Sequence, residues 1–309
     1  MPKGLFTQGV AVLLSSLPSL DLVQASLARF PLLKRLEPPQ ELDWRGGRPS
    51  LLYDYRPEVN GRVLVSLVDA PWPDLSADDP GAFLAWSEGW LTPLGYPGAL
   101  ERAGLHSPGG ADILAGHRAF VRLLLSYSLG EDSPHRPVGC DPVDELDRLL
   151  RMARCLVGLP GAVAFFNPGG EILMKPDDLD RLLGLPQLPM DAWANLRVFG
   201  AEDDWTVIDS VGMAQLDVVD QEACFPPTLR GAQAAPPPTR KLEGAANFVR
   251  NASLYLMRER PIKTGDTLAG WVAIAAREGL ALPPRPTLRW FPVDADPPDD
   301  RVPGEAADV

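Results

Sequence analysis

HRAFVRLLLSYSL at 117–129, DPVDELDRLLRMARCLVGL at 141–159 and AVAFF at 162–166 together decide the fold class. The first segment reads as a strong strand. The second is the clearest helix of the chain. Pro142 occupies its first turn, Asp141, Asp144 and Glu145 lie early, and Arg148, Arg151 and Arg154 lie late, an order that complements the helix dipole. Leu146, Leu149, Leu150, Ala153 and Leu156 recur at helical spacing and form a core-facing stripe. Pro160-Gly161 ends the helix, and 162–166 follows as a buried strand. The three segments predict a β-α-β unit, continued through the Asn167-Pro168-Gly169-Gly170 turn into a strand at 171–174.

The same order recurs upstream, with a strand at 6–14, a helix at 18–30 that Ser19 or Asp21 caps, and strands at 50–55 and 61–69. The expectation is an α+β protein with two ferredoxin-like β-α-β halves sharing a mixed, mainly antiparallel sheet. The halves are expected at 1–110, including an aromatic-rich loop, and at 111–292, with strands at 196–199, 205–208, 215–219, 270–276 and 287–291 and a helix at 245–258. A proline-rich excursion is expected at 226–244 and an acidic, disordered tail at 293–309.

The aromatic-rich loop places Trp72, Phe83, Trp86, Trp90 and Tyr96 among prolines and glycines. Such rings either cap a core beneath an irregular connection or form a binding surface, with Trp86 and Trp90 as its contacts.

Charge narrows the function classes. A net charge of −12 with a pI near 4.8 disfavours nucleic acid and anionic membranes, and suits a basic protein partner steered by long-range attraction. Three widely spaced cysteines, Cys140, Cys155 and Cys224, make neither a disulfide framework nor a zinc pair. The apolar run at 10–14 is too short for the core of a signal peptide, and no run reaches the ~18–20 residues of a membrane span. The expected location is cytoplasmic.

Between Arg197 and Arg230 the chain carries no basic residue and seven acids: Glu202, Asp203, Asp204, Asp209, Asp217, Asp220 and Glu222. Within VGMAQLDVVDQEACF at 211–225, an extended backbone would turn Asp220, Glu222 and Cys224 to one side. Two readings follow. A partner-binding face would use Asp203, Asp204, Asp217, Asp220 and Glu222, with Trp86 and Trp90 as the second surface. A hydrolase, with or without a metal, would use Asp220, Glu222 and Cys224 as its catalytic set. The mixed hard and soft ligands argue against a metal, so neither metal nor cofactor is expected. No nucleophile-elbow, P-loop or dinucleotide motif occurs. Cys140 and Cys224 lack a nucleophile motif, Cys155 reads as buried and inert, and His117 reads as a structural histidine.

Several phrases resemble a bacterial family of unknown function whose genes lie in type VI secretion neighbourhoods. They include LFTQGVAVLL at 5–14, PEVNGRVLVSLVDAPWPD at 57–74, GAVAFFNPGGEIL at 161–173, VGMAQLDVVDQEACFP at 211–226 and NFVRNASLYL at 247–256. The resemblance spans nearly the whole chain and brings no catalytic residue with it. It implies a non-catalytic cytoplasmic factor, immunity-like or accessory, that binds a protein partner in interbacterial competition.

Overall fold

A computed structural model describes residues 4–37, 49–73, 80–90, 92, 95–106, 116–129, 136–200, 205–226, 238–259, 261–281 and 285–295. The chain divides into two compact units, Met1–Trp193 and Ala194–Val309.

Unit 1 contains β1 (Gln8–Leu14), α1 (Leu20–Ser26), β2 (Leu32–Leu36), β3 (Ser50–Arg56), β4 (Gly61–Val68), α2 (Pro80–Ser87) and α3 (Gly95–His106). It continues with β5 (Ala119–Ser126), α4 (Pro142–Leu156), β6 (Ala162–Asn167), β7 (Ile172–Met174), α5 (Pro176–Leu183) and α6 (Met190–Trp193). Its seven strands form one sheet in the order β2-β3-β4-β5-β1-β6-β7, with every pairing antiparallel.

All eight residues of β5 are buried, as a central strand covered on both faces requires. Helix α4 packs on β1 and β5, and its Leu146, Leu149, Leu150, Ala153 and Leu156 are fully buried. Asp141 caps it, accepting from the Val143 N–H at 2.8 Å. Because β5 and β6 both run antiparallel to β1, they are parallel to each other. The predicted β-α-β unit is therefore present, with β1 inserted between its two strands. At the β6–β7 turn a side chain on Gly170 would meet the Trp193 carbonyl oxygen at 2.2 Å, so only glycine fits.

The predicted division at 110/111 does not organise the molecule. Strand β5 pairs with β4 through seven residue partners, so strands from both expected halves lie side by side in one antiparallel sheet. The expected single mixed sheet gives way to two sheets, and strand pairing among the described residues does not bear out the ferredoxin-like halves. The aromatic-rich stretch also differs from the expected loop, since α2 and α3 form there, with Pro80 opening α2 and Pro97 in the first turn of α3.

Unit 2 comprises β8 (Asn195–Gly200), β9 (Thr206–Val211), β10 (Asp220–Phe225), α7 (Pro238–Arg258), β11 (Thr267–Leu268), β12 (Trp271–Ala276) and β13 (Thr287–Pro292). Its six strands are ordered β11-β12-β13-β10-β9-β8, with β10 and β13 parallel and the other pairs antiparallel. Helix α7 covers one face: Phe248, Val249 and Ala252 pack with Ile208, Ala223, Leu288 and Trp290. The expected strand at 215–219 is a 3-10 turn, Met213–Leu216, entered through Gly212 at φ 118° and left through Asp217 at φ 60°. Helix α7 takes up residues 238–244 of the expected proline-rich excursion, while 227–237 lie outside the described residues, as do 296–309 of the acidic tail.

Candidate functional site

The predicted alternation along β10 is present. Asp220, Glu222 and Cys224 occupy one face, while Ala223 and Phe225 turn to α7. The predicted exposure is not. Asp220 is 4% exposed and Glu222 and Cys224 are 0% exposed, so no solvated acidic face is built from them.

What buries the carboxylates is a set of guanidiniums from strands distant in sequence. Strand register sets Arg197 opposite Asp209, Asp209 opposite Glu222, and Glu222 opposite Arg289. Arg289 donates from Nε to Glu222 Oε2 at 3.1 Å, and the Thr287 hydroxyl donates to the same oxygen at 3.2 Å. Glu222 Oε1 accepts from the Leu280 and Ala281 N–H groups at 2.6 and 3.3 Å, tying the β12–β13 connection onto the sheet. Arg197 forks onto Asp209 through Nε and Nη2. Arg285 bridges the remaining pair, with Nε on Asp220 at 2.7 Å and Nη2 on Asp209 at 2.6 Å and on the Ser210 carbonyl at 2.7 Å. Asp220 Oδ1 also accepts from the Ser210 hydroxyl and the Met213 N–H.

Each of the six carboxylate oxygens thus accepts at least one hydrogen bond, and three positive groups balance three negative ones. Burial pushes the Asp220 carboxyl above its ordinary range, against the opposing pull of Arg285. For Arg285 burial acts downward, but Asp220 and Asp209 outweigh it and hold the guanidinium above its usual value. Such an arrangement behaves as polar core. A general base must reach a substrate proton, and a ligating carboxylate must spare a lone pair; here the oxygens face inward to partners. Among the described residues no group of three or more His, Cys, Asp or Glu side chains could hold a metal ion.

The remaining predicted residues scatter. Asp217 is exposed on the bend before β10, whereas Asp203 and Asp204 lie outside the described residues. Trp90 is half-buried in unit 1: its ring meets Phe6 edge-on at 4.5 Å and its Nε1 donates to Glu88 at 2.9 Å. It serves the core side of its segment, so only Trp86, 36% exposed beside a 63% exposed Phe83, fits the expected aromatic surface. Cys224 sits among Trp205, Val207 and Phe291 as a small apolar residue. His117 accepts from the Trp72 N–H at Nε2, 2.7 Å, which leaves Nδ1 to donate to the Tyr96 oxygen at 3.2 Å. It is a satisfied structural histidine.

A concavity of about 440 Å3 lies beside the β11–β12 hairpin. Asn247, Asn251 and Tyr255 of α7 form one wall, and Leu268, Ala269 and Trp271 form the other. Its described lining is uncharged, and no residue proposed from the sequence falls in it. Spacing of four along α7 sets the two asparagines and the tyrosine on one side of the helix, a signal present in the sequence.

Comparison with protein-family models, curated proteins and solved structures finds no match for this chain. Among the described residues no helix is long and apolar enough to cross a membrane.

Proposed function

We propose that this chain is a non-catalytic, cytoplasmic binding factor for a basic protein partner. Its setting, as an immunity-like or accessory protein of a bacterial type VI secretion or antagonism system, rests on the sequence phrases quoted above. One observation carries the non-catalytic part. The carboxylates that offered chemistry are buried, charge-balanced and each hydrogen-bonded, which favours a structural role for them over a hydrolytic one.

The same balance supports an electrostatic partner. Three acids and three arginines cancel inside unit 2, so the net charge of −12 is carried by the rest of the chain. Long-range attraction of that kind raises association rates with a positively charged surface and weakens as salt rises. Exposed Asp217, and Trp86 beside Phe83, are the positions through which contact is expected.

The test is purification of tagged chain from its own host, identification of what co-purifies, and reconstitution with that partner. The expected result is a basic protein whose association rate falls with salt and with Asp217→Lys. A reconstituted partner indifferent to both would overturn the electrostatic reading, and substrate turnover by the purified chain would overturn the non-catalytic one.

A further inference from the structure

Across unit 1, the row Ser50, Ser66, Arg122 and Ala11 runs in register over β3, β4, β5 and β1. Its polar members are deeply buried, Ser50 at 6% exposure and Ser66 and Arg122 at 1% each. Arg122 points to the same side of β5 as Phe120 and Leu124, both buried in apolar clusters. The Trp90 ring lies 4.9 Å from the guanidinium carbon, and Nη1 donates a long 3.4 Å bond to the Trp90 carbonyl. Nε and Nη2 have no hydrogen-bond partner among the described residues.

Those two atoms share one edge of the guanidinium plane, and their N–H bonds point the same way. That edge is the fork that grips both oxygens of a carboxylate. Unit 2 shows the chain using it twice. Arg197 sends Nε and Nη2 to Asp209, and Arg285 sends the same atoms to Asp220 and Asp209. Arg122 presents an identical fork at deeper burial, with no carboxylate on it among the described residues. Burial pushes its guanidinium down to about 9, so it still carries its charge at neutral pH. A charge held this deep is costly unless an anion meets it.

We infer that Arg122 anchors a buried anion site that takes the carboxylate of a small apolar organic acid, gripped by Nε and Nη2. Charge matching selects the class: one carboxylate neutralises one guanidinium, whereas a phosphate dianion would leave a negative charge buried. The apolar surroundings, Phe120, Leu124 and Trp90, suit a hydrocarbon tail better than a second polar group. At 1% exposure the site admits its ligand when the fold opens, so binding is read most directly through unfolding.

The experiment is thermal unfolding of the full chain with benzoate or hexanoate, against benzamide, chloride and inorganic phosphate at matched ionic strength. Both carboxylates are expected to raise Tm saturably by a few degrees, and benzamide, chloride and phosphate to do less. Arg122→Met replaces the charge with an apolar chain of similar length. It is expected to keep or raise the ligand-free Tm and to lose the carboxylate response. Arg122→Lys, which keeps charge without the fork, is expected to respond weakly. The inference is overturned if the wild type shows no carboxylate-specific shift, or if the shift survives in Arg122→Met. A large fall in ligand-free Tm for Arg122→Met would overturn it too, because the guanidinium would then be paired within the chain.

Discussion

Asp209 and Glu222 stand directly opposite each other on β9 and β10, two fully buried carboxylates in cross-strand register. Like charges so placed repel, and the strands pair there because Arg197 and Arg289 flank the two acids along the same row. Arg285, reaching across from the β12–β13 connection, adds the third cation. The row stabilises the fold only as a complete set, since any one deletion strands the charge that it served.

Asp209→Ala removes the carboxylate shared by Arg197 and Arg285, whose side chains are 11% and 18% exposed. Breaking a buried pair by deleting one partner costs about 3–5 kcal/mol. Denaturant unfolding should show a midpoint lowered to match. A loss below about 1 kcal/mol, the range of exposed pairs, would mean that the row is solvated.

Gly279→Ala probes the same row from the loop above it. A β-carbon there would meet Glu222 Oε1 at 2.5 Å and the Thr287 methyl at 2.9 Å. Glu222 cannot step aside without releasing Leu280, Ala281, Thr287 or Arg289. The expected loss is about 1–3 kcal/mol, measured by the same titration.

Tyr53 is 1% exposed and its hydroxyl has no hydrogen-bond partner among the described residues. Tyr53→Phe should therefore stabilise unit 1 by about 1 kcal/mol at neutral pH. Burial raises this phenol from 10.0 to about 12. Between those values the unfolded chain gives up the proton and the folded chain keeps it, so stability falls as pH rises through that window. Below it both states are protonated and the group contributes nothing to the slope. The gap between wild type and Tyr53→Phe should accordingly widen from pH 10 to 12, followed by denaturant unfolding at each pH.

The β11–β12 hairpin turns through Ala269 and Gly270, at φ 48° and 84°. Two successive left-handed residues are the geometry of a type I′ turn, which favours Asn-Gly and is strained for alanine. Ala269→Asn should raise stability by about 0.5–1 kcal/mol. An unchanged or lowered thermal midpoint would show that alanine pays nothing there.

Local patterns were legible where neighbours in sequence supply the cause. Asp141 and Pro142 marked the start of α4, the apolar run at 119–126 marked β5, and alternation placed Asp220, Glu222 and Cys224 on one face. Asp220 and Glu222 do not belong to a solvated acidic face, and charge counted along the chain cannot show why. The counter-charges of Asp220 and Glu222 lie 65 and 67 positions away, brought in by the parallel pairing of β10 with β13. A signal did exist: Arg289 sits inside TLRWFP and Arg122 inside AFVRLLLS, single cations in otherwise apolar strands. A lone charge in such a run demands either an edge or an anion. Helices α2 and α3 escaped because prolines and glycines crowd their starts, where a first turn tolerates them.

The parallel pairing of β10 with β13 also has a consequence for biosynthesis. Translation delivers Glu222 to the ribosome exit long before Arg289, which follows 67 positions later. Until β13 emerges and slots between β12 and β10, Glu222 lacks its Arg289 partner and the sheet of unit 2 cannot close. The sheet of unit 2 is therefore completed late, after its helix α7 has been made, because β13 is the strand that joins β12 to β10.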